Sequence, residues 1–188
     1  MVNAIYFLPG RNGKLSEMPG GILRECCDRV FGRDLTEPFI SARFSEQVSR
    51  IGEDLLELAA GDDTALVGRS YGGYLLMHAL LKTGLAGKDV LLLSPVLGAA
   101  MTEWNGGFYG VIPPGAERLR RSVDEHRFPV PRRIIIHTGE LDRGCDPQLA
   151  AFFASRIDNA TLHILPDTGH TLEEHHYRTA VVEFLGHS

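Results

Sequence analysis

Short apolar, β-rich runs alternate with helix-length segments from one end of the chain to the other, and this alternation restricts the fold more than any other feature. It is the pattern of βα units stacked into a mostly parallel sheet. Strands are predicted at Val2–Leu8, Glu37–Ile40, Ala65–Val67, Val90–Leu93, Ile134–His137 and Thr161–Leu165. Most are continuous apolar runs, as expected of strands covered on both faces; Glu37–Ile40 is the weakest and belongs near an edge. Between them, Phe44, Val48, Ile51, Leu55 and Leu58 recur at steps of four and three, which predicts one apolar stripe on a helix ending near Gly61. Helices are also expected over Ile22–Phe31 and Tyr71–Leu81, from Asp146-Pro147 to Ile157, and from a Thr171/Glu174 capping box to Leu185. The expected fold class is α/β, a three-layer α/β/α sandwich around about six mostly parallel strands. At 188 residues the chain supports one sizeable core, so residues 1–188 are expected to form one domain.

One segment breaks the rhythm. Residues 95–131 are too long for a simple βα connection and carry Gly98, Gly106, Gly107, Gly110, Pro113 and Pro114 around Trp104, Phe108 and Tyr109. The segment is expected to form either a small lid or pocket-lining excursion, or a plug of aromatics closing the core.

The net charge of −5 leaves no uniform positive field to hold a phosphate backbone, which argues against nucleic acid as a partner. Three cysteines, two of them adjacent at Cys26 and Cys27, cannot make a complete set of internal bridges, so a reducing, cytoplasmic setting is expected. The apolar start has no basic flank and no small-residue cleavage site, and reads as a strand rather than an export signal. Val90 to Met101 is interrupted by Ser94 and Pro95 and falls short of the ~20 residues that span a bilayer. No membrane partner is expected, and the assembly is read as a monomer or homodimer.

Gly68-Arg69-Ser70-Tyr71-Gly72 matches G-x-S-x-G, in which a serine occupies a tight strand-to-helix turn and flanking glycines let backbone segments approach. The bare pattern is weak in a chain with 21 glycines; its setting strengthens it. A strand runs in through Thr64–Val67 and a helix runs out through Gly73–Leu80, so the hydroxyl is expected above the sheet. A serine hydroxyl needs a base, and the base needs a group to orient it. Asp142 follows the strand Ile134–His137 in Thr138-Gly139-Glu140-Leu141-Asp142, and His170 follows Thr161–Leu165 in Pro166-Asp167-Thr168-Gly169-His170. All three lie just beyond the C-terminal ends of predicted strands, where open α/β sheets place their sites. Asp146 and then Glu140 are rivals for the acid, although Asp146-Pro147 is already explained as a helix start. The oxyanion hole is expected from the backbone amides of Tyr71 and Arg11, with Gly10 or Asn12 as alternatives to Arg11.

These segments, together with Leu8-Pro9-Gly10-Arg11-Asn12-Gly13 and Leu93-Ser94-Pro95, resemble the α/β-hydrolase superfamily, in particular its small lidless or nearly lidless esterases. The resemblance spans residues 8 to 170. It implies a minimal hydrolase fold with local strand order 2-1-3-4-5-6, a Ser70-His170-Asp142 triad and no cofactor; the modest 95–131 excursion points to small soluble acyl esters as substrates. The chain departs from the pattern at Arg69, where many members carry histidine, and in Leu-Pro-Gly, which replaces the usual His-Gly.

The resulting expectation is a serine hydrolase, carboxylesterase-like, that cleaves small esters through an acyl-enzyme on Ser70. Thioesterase or acyltransferase chemistry on the same triad, and a non-catalytic ligand- or protein-binding module, are the alternatives. A nucleotide-binding reading of Gly10–Lys14 fails, because neither G-x-G-x-x-G nor a P-loop is satisfied. Arg11, Arg69 and Arg143 flank the proposed site and read as separate solvated arginines rather than an anion-selective patch. Cys145 has no C-x-x-C or Cys/His partner at metal-binding spacing, so no metal is expected.

Overall fold

A computed structural model describes residues 2–61, 63–104 and 107–186. Its elements run β1 (Ala4–Leu8), α1 (Gly20–Cys26), β2 (Val30–Gly32), α2 (Phe44–Leu58), β3 (Thr64–Arg69), α3 (Tyr71–Thr83), β4 (Asp89–Leu93), β5 (Ala100–Trp104), β6 (Gly107–Val111), α4 (Ala116–Asp124), β7 (Arg133–Gly139), α5 (Pro147–Arg156), β8 (Ala160–Leu165) and α6 (Glu174–Gly186). Six strands form one sheet in the order β2-β1-β3-β4-β7-β8. Every pairing within it is parallel.

Side chains alternate across the strands, and both faces are apolar, so helices must cover both. Tyr6, Leu8, Leu66, Leu92, Ile134 and Ile136 face the layer that includes α2, α3 and α5. Ile5, Phe7, Ala65, Val67, Leu91, Leu93 and Ile135 face α1 and α6. The result is the three-layer α/β/α arrangement expected. Among the described residues, no helix is long and apolar enough to cross a membrane.

The second strand of the chain lies elsewhere than expected. Helix α1 stops at Cys26, because Cys27 is already extended (φ −147°, ψ 128°). Val30 and Phe31, read as the end of that helix, instead belong with Gly32 to β2, which pairs with Ile5–Phe7 along the open edge of β1. It ends at Gly32, where a Cβ would stand 2.0 Å from the Phe7 carbonyl oxygen. Glu37–Ile40 is not a strand: Ile40 N–H donates to Thr36 O and Ala42 N–H to Phe39 O, the local bonds of turns. Phe39 and Ile40 are apolar because they pack into the core, not because they enter a ladder.

Two ends of helices can be compared with their sequence signals. Asp146 caps α5 by accepting from Gln148 N–H, with Pro147 in the first turn, as expected. The Thr171/Glu174 capping box does not form. Helix α6 starts at Glu174, and the Glu173 carbonyl accepts from His176 and Tyr177 N–H. Leu172 is buried in the α1/α6 layer, which holds this segment in a non-helical path.

Residues 95–131 contain the antiparallel hairpin β5–β6 and helix α4, neither of which was read from the sequence. Gly106 and the side chains of Trp104, Phe108 and Tyr109 lie outside the described residues, and the choice between lid and plug rests on them. Helix α4 packs Leu119 and Val123 into the core.

One buried group makes this packing pH-sensitive. His78 on α3 is 6% exposed, sits edge-on to Tyr74 and Phe44, and its Nε2 has no hydrogen-bond partner. Burial, assisted by the Arg118 charge, pushes its pKa down to about 4. The depressed value favours the folded state above the ordinary histidine pKa of about 6.5. That contribution, on the order of 3 kcal/mol, is lost as pH falls from about 6.5 through 4. Urea midpoints should therefore drop across this window in the wild type, and His78→Leu should remove its share of the drop, leaving that of buried His137, whose pKa burial also lowers to about 4.

Candidate active site

Ser70 occupies the single-residue corner between β3 and α3, at φ 51° and ψ −120°. A left-handed serine costs roughly 1–3 kcal/mol and persists only where its surroundings hold it. Here Ser70 N–H donates to Leu93 O, and Ser70 O accepts from both Tyr74 N–H and Val96 N–H. The corner also demands close backbone approach. A Cβ on Gly68 would lie 2.6 Å from Gly73 Cα, and one on Gly72 would lie 2.2 Å from Pro9 O. The motif's glycines are thus required by contact with α3 and with the loop after β1.

Asp142 and His170 follow β7 and β8, which are neighbours in the sheet, so their loops emerge side by side. Gly139 lets them touch: a Cβ there would stand 2.0 Å from Thr168 O. Leu141 N–H donates to Thr168 O and Glu140 N–H to Leu165 O, which fixes one loop on the other. The outcome is a continuous chain of side chains. Ser70 Oγ lies 2.8 Å from His170 Nε2, and His170 Nδ1 lies 2.8 Å from Asp142 Oδ1.

The hydrogen bonds around Asp142 assign the protons. Its Oδ1 also accepts from Gly144 N–H and Cys145 N–H, each at 2.7 Å, and the Thr138 hydroxyl lies 3.3 Å from Oδ2. A carboxylate is acceptor-only, so His170 Nδ1 carries hydrogen and donates to it. In the neutral ring Nε2 is then the acceptor, and the Ser70 hydroxyl donates to it. The Asp142 side chain is fully buried, whereas the His170 side chain is one-third exposed. Gly144 also shapes the site, since a Cβ there would stand 2.6 Å from His170 Nδ1.

The loop after β1 lies against the serine: a Cβ on Gly10 would be 4.0 Å from Ser70 Oγ. Within this loop Asn12 N–H is committed to Leu35 O, which leaves Gly10 and Arg11 as its candidate oxyanion donors. The Arg11 guanidinium stands over the Tyr71 ring at 5.8 Å. The Tyr71 hydroxyl in turn donates to Gln47 Oε1, and buried Gln47 is held by the carbonyls of Ile40 and Ala42. Burial raises the Tyr71 pKa, so the phenol stays protonated.

The three arginines do not behave alike. Arg11 and Arg143 are exposed. Arg69 is not the solvated arginine expected, because its Nε donates to the hydroxyl of buried Tyr177 and so ties the elbow to α6. Of the rival acids, Asp146 is occupied as the α5 cap, and Glu140 Oε2 accepts from Asp167 N–H. The residues that sequence reasoning did not single out are Gly144, Thr138 and Gln47, and Cys145, weighed only as a metal ligand, enters through its backbone amide. Only the glycine beside the acid carried any signal, and backbone amides carry none.

No family model matches the chain, and no curated protein matches it in sequence. Solved structures do. The monoacylglycerol lipase of Paleococcus ferrophilus superposes with a TM-score of 0.72 at 14% identity, covering 98% of this chain and 94% of the lipase. Mouse alpha/beta hydrolase domain-containing protein 10 gives 0.71 at 13% identity, covering 97% and 88%. Est1E from Butyrivibrio proteoclasticus gives 0.70 at 16% identity, covering 99% and 88%. With its parallel six-stranded sheet, its helices on both faces and these likenesses over nearly its whole length, the chain has the α/β-hydrolase fold.

Proposed function

We propose that the protein is a serine hydrolase that cleaves small carboxylic esters through an acyl-enzyme on Ser70. The observation that carries this reading is the unbroken hydrogen-bonded series from Ser70 Oγ through His170 to Asp142 Oδ1, with each link at 2.8 Å. Likeness in fold to a lipase and to other hydrolases agrees with it.

In the proposed reaction, Ser70 Oγ attacks the ester carbonyl as His170 Nε2 takes its proton. The oxyanion of the tetrahedral intermediate is held by the backbone amides of Tyr71 and Arg11. Collapse expels the alcohol, which receives the proton from the His170 imidazolium. Water then attacks the acyl-enzyme with His170 again as base, and collapse releases the acid and restores Ser70. Asp142 keeps the imidazole in the Nδ1–H tautomer and stabilises its cation. This chemistry needs no cofactor.

The hairpin side of the 95–131 excursion meets the acid loop at a cavity of about 270 Å³, lined by Ala99, Ala100, Gly110, Asp142, Arg143 and Asp146. Neither Ser70 nor His170 lines it, so the small-ester reading rests on the modest length of the 95–131 excursion rather than on this space. The proposed working form is a monomer or homodimer in the cytoplasm, acting on small soluble esters.

Ser70→Ala should lower turnover of p-nitrophenyl butyrate by about 10³-fold or more while leaving the circular dichroism and melting of the protein unchanged. Near-normal turnover in that variant would refute the assignment. Asp142→Asn should cost roughly 10²- to 10⁴-fold in kcat, because the amide cannot accept in the same way from three N–H groups. Asp146→Asn should leave the rate close to wild type, since asparagine also caps a helix. Steady-state kinetics on the pair separates the two acids.

A further inference from the structure

The register of the sheet creates a second cluster of chemistry-bearing side chains. Strands β7 and β8 pair so that His137 stands opposite His163, and the two rings stack at 4.4 Å with 11° between their planes. Ile135 faces α1 and α6, so His137, two residues on, faces the same way. Helix α6 covers this face and supplies His176 and Glu183, seven residues apart and therefore two turns along one side. Glu183 Oε1 lies 3.5 Å from His163 Nε2, without forming a hydrogen bond. One nitrogen from His137, one from His163 and one oxygen from Glu183 all lie within 4.8 Å of one another.

The cluster has an unsolved polar problem. Among the described residues, five buried side-chain nitrogen or oxygen atoms lack a hydrogen-bond partner; three of them are His137 Nε2, His163 Nε2 and His176 Nδ1. Buried polar atoms are rarely left unpaired, because each costs the desolvation of its group. Two stacked imidazoles with orphaned nitrogens beside a carboxylate are what an unfilled metal centre leaves behind, and the His176 ring lies near enough for its charge to act on His137. Borderline divalent cations take this donor set, whereas magnesium and calcium prefer oxygen alone. Tetrahedral zinc, with bonds of about 2.0–2.1 Å, needs donors about 3.3 Å apart, so the His163–Glu183 pair is already close to spacing.

We infer that His137, His163 and Glu183, with His176 beside them, form a zinc-type divalent metal site that fastens α6 to the β7–β8 edge of the sheet. His137 is 4% exposed and anchors the site, while the side chains of His163 and Glu183 are each about one-third exposed and leave a path for the ion. Stacked rings send their lone pairs side by side, so binding must tilt the His163 ring out of the stack toward the ion. The site uses no member of the Ser70-His170-Asp142 series and does not depend on the esterase reading. By holding β8 at His163 it braces the loop that runs on to His170. Residues 137, 163, 176 and 183 have no short metal-binding spacing, which is why linear pattern reading expected no metal.

The test uses the full chain, stripped of metal with a chelator and titrated with zinc by calorimetry and thermal melting, with cobalt(II) as the spectroscopic probe. One equivalent of zinc is expected to bind, raising Tm by roughly 5–10 °C at saturating metal, and cobalt should give the strong visible bands of a tetrahedral site. His163→Ala and Glu183→Gln should each weaken binding by about tenfold or more and remove most of the Tm shift. Glu183→Gln is isosteric and its site is one-third exposed, so it keeps the test valid if His163→Ala fails to fold. His170→Ala should bind as the wild type does. Absence of saturable binding in the wild type overturns the inference. So does binding that survives both cluster variants, or that is lost in His170→Ala instead, which would put the ion at the triad.

Discussion

Three N–H groups converge on one oxygen of a buried carboxylate, and the arrangement at the rim of the sheet follows from that convergence. Asp142 Oδ1 accepts from Gly144, Cys145 and His170 Nδ1, which leaves Nε2 of His170 as the acceptor aimed at Ser70. The two backbone donors hold the carboxylate whether or not the histidine is present, so Asp142 is organised before His170 reaches it. An isolated buried charge would be costly; one that accepts charge-assisted bonds on its own loop is tolerated. The same loop presents Gly144 flat against the imidazole, so a single turn orients the ring electrostatically and sterically.

The opposite end of the relay is organised by backbone contact instead of charge. Ser70 is held in a left-handed conformation by bonds to β4 and to the strand of chain that follows it, while Gly72 allows the loop after β1 to reach the serine. Arg69 and Tyr177 then join this corner to α6, and Arg11, Tyr71 and Gln47 join it to α2 and to the segment before it. The corner is therefore braced from both helical layers. A rigid corner of this kind keeps a hydroxyl and an imidazole within hydrogen-bond reach without calling on substrate to bring them together.

How much of this the sequence disclosed depends on the range of the interaction. The buried central strands were legible because both faces are apolar, and Ser70 and Asp142 were legible because each follows such a strand; His170 follows the half-buried edge strand β8, legible only as a short β-rich run before a turn. The edge strand Val30–Gly32 was not, since three half-buried residues give no periodicity and Cys27 ends α1 without a glycine or proline to announce it. Phe39 and Ile40 misled in the other direction, being apolar for packing alone. The β5–β6 hairpin was hidden among glycines that read equally well as loop. The amides of Gly144 and Cys145 have no side-chain signature, and the stack of His137 on His163 arises from sheet register, which no linear spacing encodes.

The claim on which the account turns is that the Ser70 hydroxyl is activated by its neighbours in the folded protein. Treating native protein with a fluorophosphonate, then weighing the intact chain and mapping its peptides by mass spectrometry, measures this directly. The account predicts one adduct per chain, located on Ser70, and none when the protein is first unfolded in urea. A native protein that acquires no adduct, or that acquires it elsewhere while Ser70 stays unmodified, would contradict it.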